Sequence, residues 1–394
     1  MNIDLSRIDK LSKYLKFSLG TLIVIGVIMV YSASYMYAKE KFGNSGYFFI
    51  KQLMFVAFSL GIAFVVSKTK YKFWLKFALH INYAACFLLT LTFIPGFKTV
   101  VKGANRWLRV GGFTLQPGEF VKYTIILVSI VFFEKFQEFD RNKKINYSVC
   151  MGLPFVLLIL QPDFGTFSIC FFAMSFVCFL SSFPRKYFYS AFVVGLVMGG
   201  AVLISAPYRV KRLMAFLNPW ENAQGSGFQI IQSWIGFANG GFFGTGPGNS
   251  IEKLFYLPEA HNDFIFSVIG EEFGFVGVTA LALLFISIIF FGFSLAMKVK
   301  LREGSLLMAS VIFVVGIQSA LNMGVVLGLL PTKGLNLPFI SYGGSSLMSN
   351  LFGIGLFFAV LRSYREHTGG VASSAGTNSH STNTSSFQNL RNQA

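Results

Sequence analysis

Asp263 closes the run Tyr256-Leu-Pro-Glu-Ala-His-Asn-Asp-Phe-Ile-Phe266, where a long loop meets an apolar stretch. A carboxylate held there behind Pro258 is partly desolvated and able to accept a proton from a hydroxyl. The same position also fits a helix N-cap, because Asp ahead of an apolar helix satisfies orphan N–H groups. Glu259 and His261 share the run, and Glu271 and Glu272 follow about two turns later. Arg209, Lys211 and Arg212 open the same loop. They suit a phosphate or diphosphate, Arg by bidentate contact, or else ordinary lipid head-group anchoring.

A second group precedes these. Glu119 and Lys122 stand three apart at the start of an apolar span, after Gln116-Pro117-Gly118. They read as an i,i+3 ion pair or as the charged lining of a cavity, and a Lys within a span favours the cavity. Asp163 lies in Gln161-Pro-Asp-Phe-Gly-Thr166, a tight turn between two spans, and there N-capping carries about equal weight. Only 16 residues are acidic, so this placement is informative.

The elements that must hold these groups are membrane helices. The chain has 394 residues, with 54% hydrophobic and only 12% charged. A soluble domain carries about 25% charged residues, and half of that cannot cover a water-facing surface. Mean hydropathy is +0.62, and Phe is used 48 times. This composition excludes disordered, collagen-like and disulfide-stapled proteins. Net charge is +17, which fits basic loops on anionic lipid rather than a nucleic-acid partner. The first apolar run is too long for a cleavable signal peptide.

Runs of about 20 apolar residues mark spans. Ten are expected: 18–37, 52–67, 74–95, 119–134, 146–160, 164–183, 187–206, 264–297, 305–330 and 341–363, the second, fourth and fifth being short. Most of the 33 Lys and Arg fall on the side shared by both ends, which puts both termini in the cytoplasm. The fold class expected is therefore an all-α integral membrane protein. Residues 1–17 form an N-terminal segment, 18–365 the membrane domain, and 366–394 a disordered polar tail. Two outer loops, about 96–118 and 207–263, are long enough to be functional. The longer one carries an amphipathic run at 228–237 that suits the membrane interface. Gly240-Gly-Phe-Phe-Gly-Thr-Gly-Pro-Gly248 lacks the strand and Lys of a nucleotide loop, and fits a backbone bent against another segment. Ser341-Tyr-Gly-Gly-Ser-Ser346 suits close helix packing. Cys86, Cys150, Cys170 and Cys178 read as small core residues, and His80, His367 and His380 as incidental.

Taken together, several segments resemble the SEDS family (shape, elongation, division and sporulation). They are Tyr31-Ser-Ala-Ser34, Asn105-Arg-Trp107, Gln116-Pro-Gly-Glu119 with Lys122, Gln161-Pro-Asp-Phe-Gly165, Asn218-Pro-Trp220, Leu257–Phe266 and Pro331–Ser346. The last carries the signature positions Pro331, Lys333, Pro338, Ser341, Gly343, Gly344 and Ser345, and its Thr-Lys-Gly-Leu form looks like the division branch or its sporulation relative. Asn262 departs from the Thr or Ser of many members.

The resemblance implies a ten-helix fold and a peptidoglycan glycosyltransferase that polymerises lipid II into glycan strands at the outer face of the bacterial cytoplasmic membrane, at the division septum. It places the essential Asp on Asp263. It puts substrate or diphosphate contacts on Glu119, Lys122, Asp163, Arg209 and Arg212, beside Glu259 and His261 of the same run. It implies a class B penicillin-binding transpeptidase and other divisome proteins as partners. No organic cofactor is expected. A divalent cation, Mg or Mn, is an alternative source of positive charge for the leaving diphosphate. A lipid II flippase and a non-catalytic divisome scaffold are the competing readings.

Overall fold

The computed structural model describes all residues except 1, 96–97, 102–103, 111–112, 205–206, 226, 254–256, 258–259, 333 and 389–394. Among the described residues it is helical apart from one small sheet, with loops and turns between. Among them, six helices are long and apolar enough to cross a membrane. They are α1 (Asn2–Phe42), α2 (Tyr47–Lys68), α6 (Arg141–Leu160), α11 (Ile265–Lys298), α12 (Arg302–Val326) and α13 (Gly344–Gln388). The other helices are α3 (Tyr71–Lys76), α4 (Ala78–Leu91), α5 (Pro117–Glu134), α7 (Phe164–Leu180), α8 (Arg185–Ile204), α9 (Pro207–Leu217) and α10 (Phe228–Gly240).

Local chemistry sets these boundaries. α1 ends at Gly43, whose φ of +67° allows its N–H to reach the Lys39 carbonyl at 2.9 Å. Pro117 opens α5, where its missing N–H costs nothing. Asp163 caps α7 by accepting from the Thr166 N–H. α5 is apolar on most sides apart from Glu119, Lys122 and Glu134, and all but Phe120 and Glu134 are buried, so it runs through the middle of the bundle. That central course is what encloses Lys122.

The structure departs from the sequence expectation in two places. The first outer loop contains a three-stranded antiparallel sheet, β1 (Lys98–Val101), β2 (Ala104–Val110) and β3 (Phe113–Leu115), in the order β1-β2-β3. Its register pairs Trp107 with Thr99 and Leu108 with Leu115. A search for apolar spans passes over such short runs of Val, Thr, Trp and Leu, although these are strand formers. The second outer loop is largely helical, with α9, a 3-10 turn at Pro219–Asn222 and α10. α10 turns part of its apolar face to protein and leaves Ile235 exposed. Ile230 and Ile231 are buried, the Ser233 hydroxyl donates to the Val326 carbonyl at 2.7 Å, and the Trp234 indole donates to Leu327 at 3.1 Å. α13 runs as helix to Gln388.

The glycine-rich run behaves as its composition suggests. Gly244 has φ +85°, and a Cβ there would overlap the Glu272 carbonyl oxygen. Thr245 and Gly246 donate from their backbones to the carbonyls of Glu271 and Glu272, at 2.9 and 3.0 Å. α11 breaks opposite this contact, at Gly274, with φ +61° and ψ −160°. Gly244→Ala should therefore detach the loop, destabilising the fold by about 1–3 kcal/mol. Thermal unfolding in detergent, with limited proteolysis of the loop, measures this.

Candidate functional site

Polar side chains of α5, α7, α12 and α13 meet inside the bundle. Lys122 Nζ lies 2.6 Å from Glu119 Oε2 and donates to Gln318 Oε1, also at 2.6 Å. Ser349 of α13 donates to the same Glu119 oxygen at 3.4 Å. Lys122 is wholly enclosed and Glu119 is 6% exposed. The i,i+3 pair is thus formed, and its contacts are internal rather than on an open wall. Removal of either partner would leave a buried charge uncompensated.

Asp163 does more than cap α7. Its Oδ2 accepts from Thr166 Oγ1 at 2.9 Å and from Gln116 Nε2 at 3.2 Å. Arg106 of β2 stands 4.0 Å from Oδ1 and donates to the carbonyls of Gln161 and Pro162. The Gln116 backbone N–H donates to Ser345 Oγ at 2.9 Å. One carboxylate therefore joins the sheet, the start of α5 and the turn before α7, and Gln116 carries the link on to α13.

Asp263 lies in the turn before α11, whose N-cap is Phe264. A Cβ on Gly334 would stand 3.1 Å from Asp263 Oδ2, so the carboxylate lies against the backbone of the Pro331–Ser346 segment. Asn322 of α12 holds both sides, with Nδ2 2.8 Å from the Asp263 carbonyl and 2.6 Å from the Leu335 carbonyl. One helical turn earlier, Gln318 Nε2 donates to the Asn336 carbonyl at 2.9 Å. Gln318 thereby ties the Lys122 pair to the segment that flanks Asp263. Within that segment the Ser341 hydroxyl accepts from Leu337 N–H at 2.8 Å, and the Tyr342 N–H donates to the His261 carbonyl at 3.0 Å. Gly343 and Gly344 leave no room for a Cβ beside Asn336 and Phe55. His261 is buried among the rings of Tyr37, Phe48 and Tyr342.

A separate acidic cluster anchors the loop ahead of Asp263. Glu271 accepts from the Ser250 hydroxyl and from the Ile251 and Glu252 N–H groups, the last two at 3.0 and 3.3 Å. Lys253 is buried, 2.7 Å from Glu272, and Ser32 of α1 donates to the same oxygen at 2.6 Å. Burial, with the Glu271 charge beside it, raises the Glu252 carboxyl from 4.5 to about 7. A raised carboxyl keeps its proton in the fold after the unfolded chain has lost it. Its stabilising effect is complete below pH 4.5 and is lost as the pH climbs through about 7. Glu252→Gln should remove that slope, so the variant's thermal midpoint falls less than the wild type's between pH 5 and pH 8.

The geometry brings Glu119, Lys122, Asp163, Asp263, Pro331–Ser346 and the backbone of His261 into one connected region. Arg209 and Arg212 lie on α9, but their side chains are outside the described residues, as are Glu259 and Lys333. Gln318, Asn322 and Ser349 stand outside every motif read from the sequence, and Gln116, Arg106 and Asn336 appear there only inside the motifs that carry the resemblance, without a role. For Gln318 and Asn322 a signal existed: two amides four apart in an apolar span share one helix face. Among the described residues no group of three or more His, Cys, Asp or Glu could hold a metal ion. The four Cys are free and buried.

The comparisons with known proteins agree on what this bundle is. The Cell cycle protein family of FtsW, RodA and SpoVE matches residues 13–366. The chain belongs to that family and is a multi-pass membrane protein. It is 37% identical over 363 residues to the probable peptidoglycan glycosyltransferase FtsW of Geobacter sulfurreducens, covering 91% of this chain and 97% of that one. It is 38% identical over 344 residues to stage V sporulation protein E of Bacillus subtilis, covering 86% and 94%. Among solved structures, it resembles a chain from work on the structural coordination of polymerization and crosslinking by a peptidoglycan synthase complex. There the TM-score is 0.70 at 28% identity, covering 89% of this chain and 97% of that one. It also resembles the rod shape determining protein RodA of Thermus thermophilus, with a TM-score of 0.65 at 26% identity, covering 88% and 95%.

Proposed function

We propose that this chain is a peptidoglycan glycosyltransferase that polymerises lipid II at the outer face of the bacterial cytoplasmic membrane during division. In this reading α4, α5, α7 and α8 add four crossings to the six long helices, which makes ten with both ends in the cytoplasm. The observation that carries the reading is the carboxylate of Asp263, held against Gly334 at the head of α11 and tied through α12 to the Lys122 pair. Asp263 takes the proton from the acceptor's sugar hydroxyl. That oxygen attacks the donor's anomeric carbon, the bond to the diphosphate oxygen breaks, and polyprenyl diphosphate leaves. A single displacement inverts the anomeric centre. The diphosphate leaves without the strong acid catalyst that glycosidases need.

Arg209 and Arg212 are proposed to neutralise the leaving group, and no step is routed through a metal. Lys122, with Glu119 and Gln318, orders the interior face, and Asp163 with Arg106 fixes the neighbouring turn. The polyprenyl chain stays in the bilayer throughout. A class B penicillin-binding protein and other divisome proteins are the proposed partners, supported by the likeness to the synthase-complex chain. Proteoliposomes loaded with labelled lipid II separate this from transport. Polymer formed from outer-leaflet lipid II supports the reading. Lipid II crossing the bilayer with no polymer formed would replace it with a flippase.

A further inference from the structure

Two amides on α12 are not explained by packing. Gln318 and Asn322 are buried, at 0% and 2% exposure, in a helix whose other enclosed side chains are mostly apolar. Amides at such depth are costly unless their hydrogen bonds are made. Gln318 makes bonds at both ends, to Lys122 and to the Asn336 carbonyl. Asn322 spends both amide hydrogens, on the carbonyls of Asp263 and Leu335. Its Oδ1 is buried without a hydrogen-bond partner, a cost that a leucine of similar size would not carry.

The two carbonyls are informative. One belongs to Asp263 itself. The other follows Gly334, the residue whose backbone the Asp263 carboxylate faces. Asn322 therefore holds both the Asp263 backbone and the segment that the carboxylate faces. These bonds fix the place of Asp263 relative to the segment and do not touch the carboxylate.

We infer that Asn322 is a positioning residue for the transfer reaction: its amide sets where the Asp263 carboxylate stands, while Gln318 locks the same segment to Lys122. The inference rests on the glycosyltransferase reading above. Its consequence is kinetic. A base displaced by a fraction of an ångström to an ångström slows the chemical step, on the order of 10–10²-fold. Asn322 is not among the groups proposed to hold the substrate, so KM changes little.

The test is lipid II polymerisation by the purified full-length chain with its transpeptidase partner. Wild type, Asp263→Ala, Asn322→Leu and Gln52→Leu are compared for kcat, KM and thermal midpoint. Gln52 is equally buried, in α2, but neither end of its amide has a hydrogen-bond partner. It controls for the loss of any buried amide. Asn322→Leu should lose kcat about 10–10²-fold with KM and thermal midpoint near wild type, and Gln52→Leu should retain kcat. If Asn322→Leu does not fold, the neutral variant Asn322→Ser keeps one hydrogen to donate, and a kcat loss at unchanged KM is expected. Polymer from the wild type but not from Asp263→Ala, together with wild-type kcat in the Asn322 variants, overturns the inference alone. A kcat loss matched by a rise in KM or shared by Gln52→Leu also overturns it. No polymer from the wild type overturns the glycosyltransferase reading and this inference with it.

Discussion

Lys122→Met is expected to abolish polymer formation and to lower stability by about 3–5 kcal/mol, because it leaves Glu119 buried beside an empty partner position. The Glu119 oxygen now 2.6 Å from Nζ would retain only the 3.4 Å contact from Ser349. The double variant Glu119→Gln/Lys122→Met removes both charges. It should recover most of the stability, since the uncompensated charge is gone. It should not recover activity, because the Gln318 oxygen still lacks its ammonium partner. Unfolding in detergent and glycan formation, measured on the same preparations, separate the two effects. Activity returning along with stability would mean that the pair serves the fold alone.

Asp263→Asn is expected to leave the fold intact and cut turnover by about 10²–10⁴-fold, the usual contribution of a general base. Asn has the same shape, and the backbone carbonyl that Asn322 grips is unchanged. The thermal midpoint should therefore match the wild type's. A kinetic comparison at saturating lipid II checks the prediction, and near-normal turnover would remove Asp263 from the chemistry.

Much of this site was legible because charge is scarce. With 16 acidic residues in 394, each carboxylate near an apolar stretch needed a reason. Glu119, Lys122, Asp163 and Asp263 could all be picked out on that ground, and the Asp163 cap is present. The glycines of 240–248 were also readable as a backbone pressed against another segment, and it is α11 that they meet. What sequence did not show is how the groups are joined. Gln318 and Asn322 are uncharged and sit in a convincing apolar span, so a search keyed to charge passes over them. The sheet at 98–115 was hidden because its strands are three to seven residues long. Helical periodicity carries no information about such a loop. The apolar face of α10 reads the same whether it meets lipid or protein. The burial of Ile230 and Ile231 and the hydrogen bonds from Ser233 and Trp234 to the end of α12 put protein on part of that face.

The most direct measurement is gel analysis of the products made when the purified chain, with its class B penicillin-binding partner, is given lipid II. The wild type should give a ladder of glycan strands and release polyprenyl diphosphate, while Asp263→Ala gives neither. Lipid II left unchanged by the folded, partner-bound wild type would contradict the assignment of glycosyl transfer to this bundle.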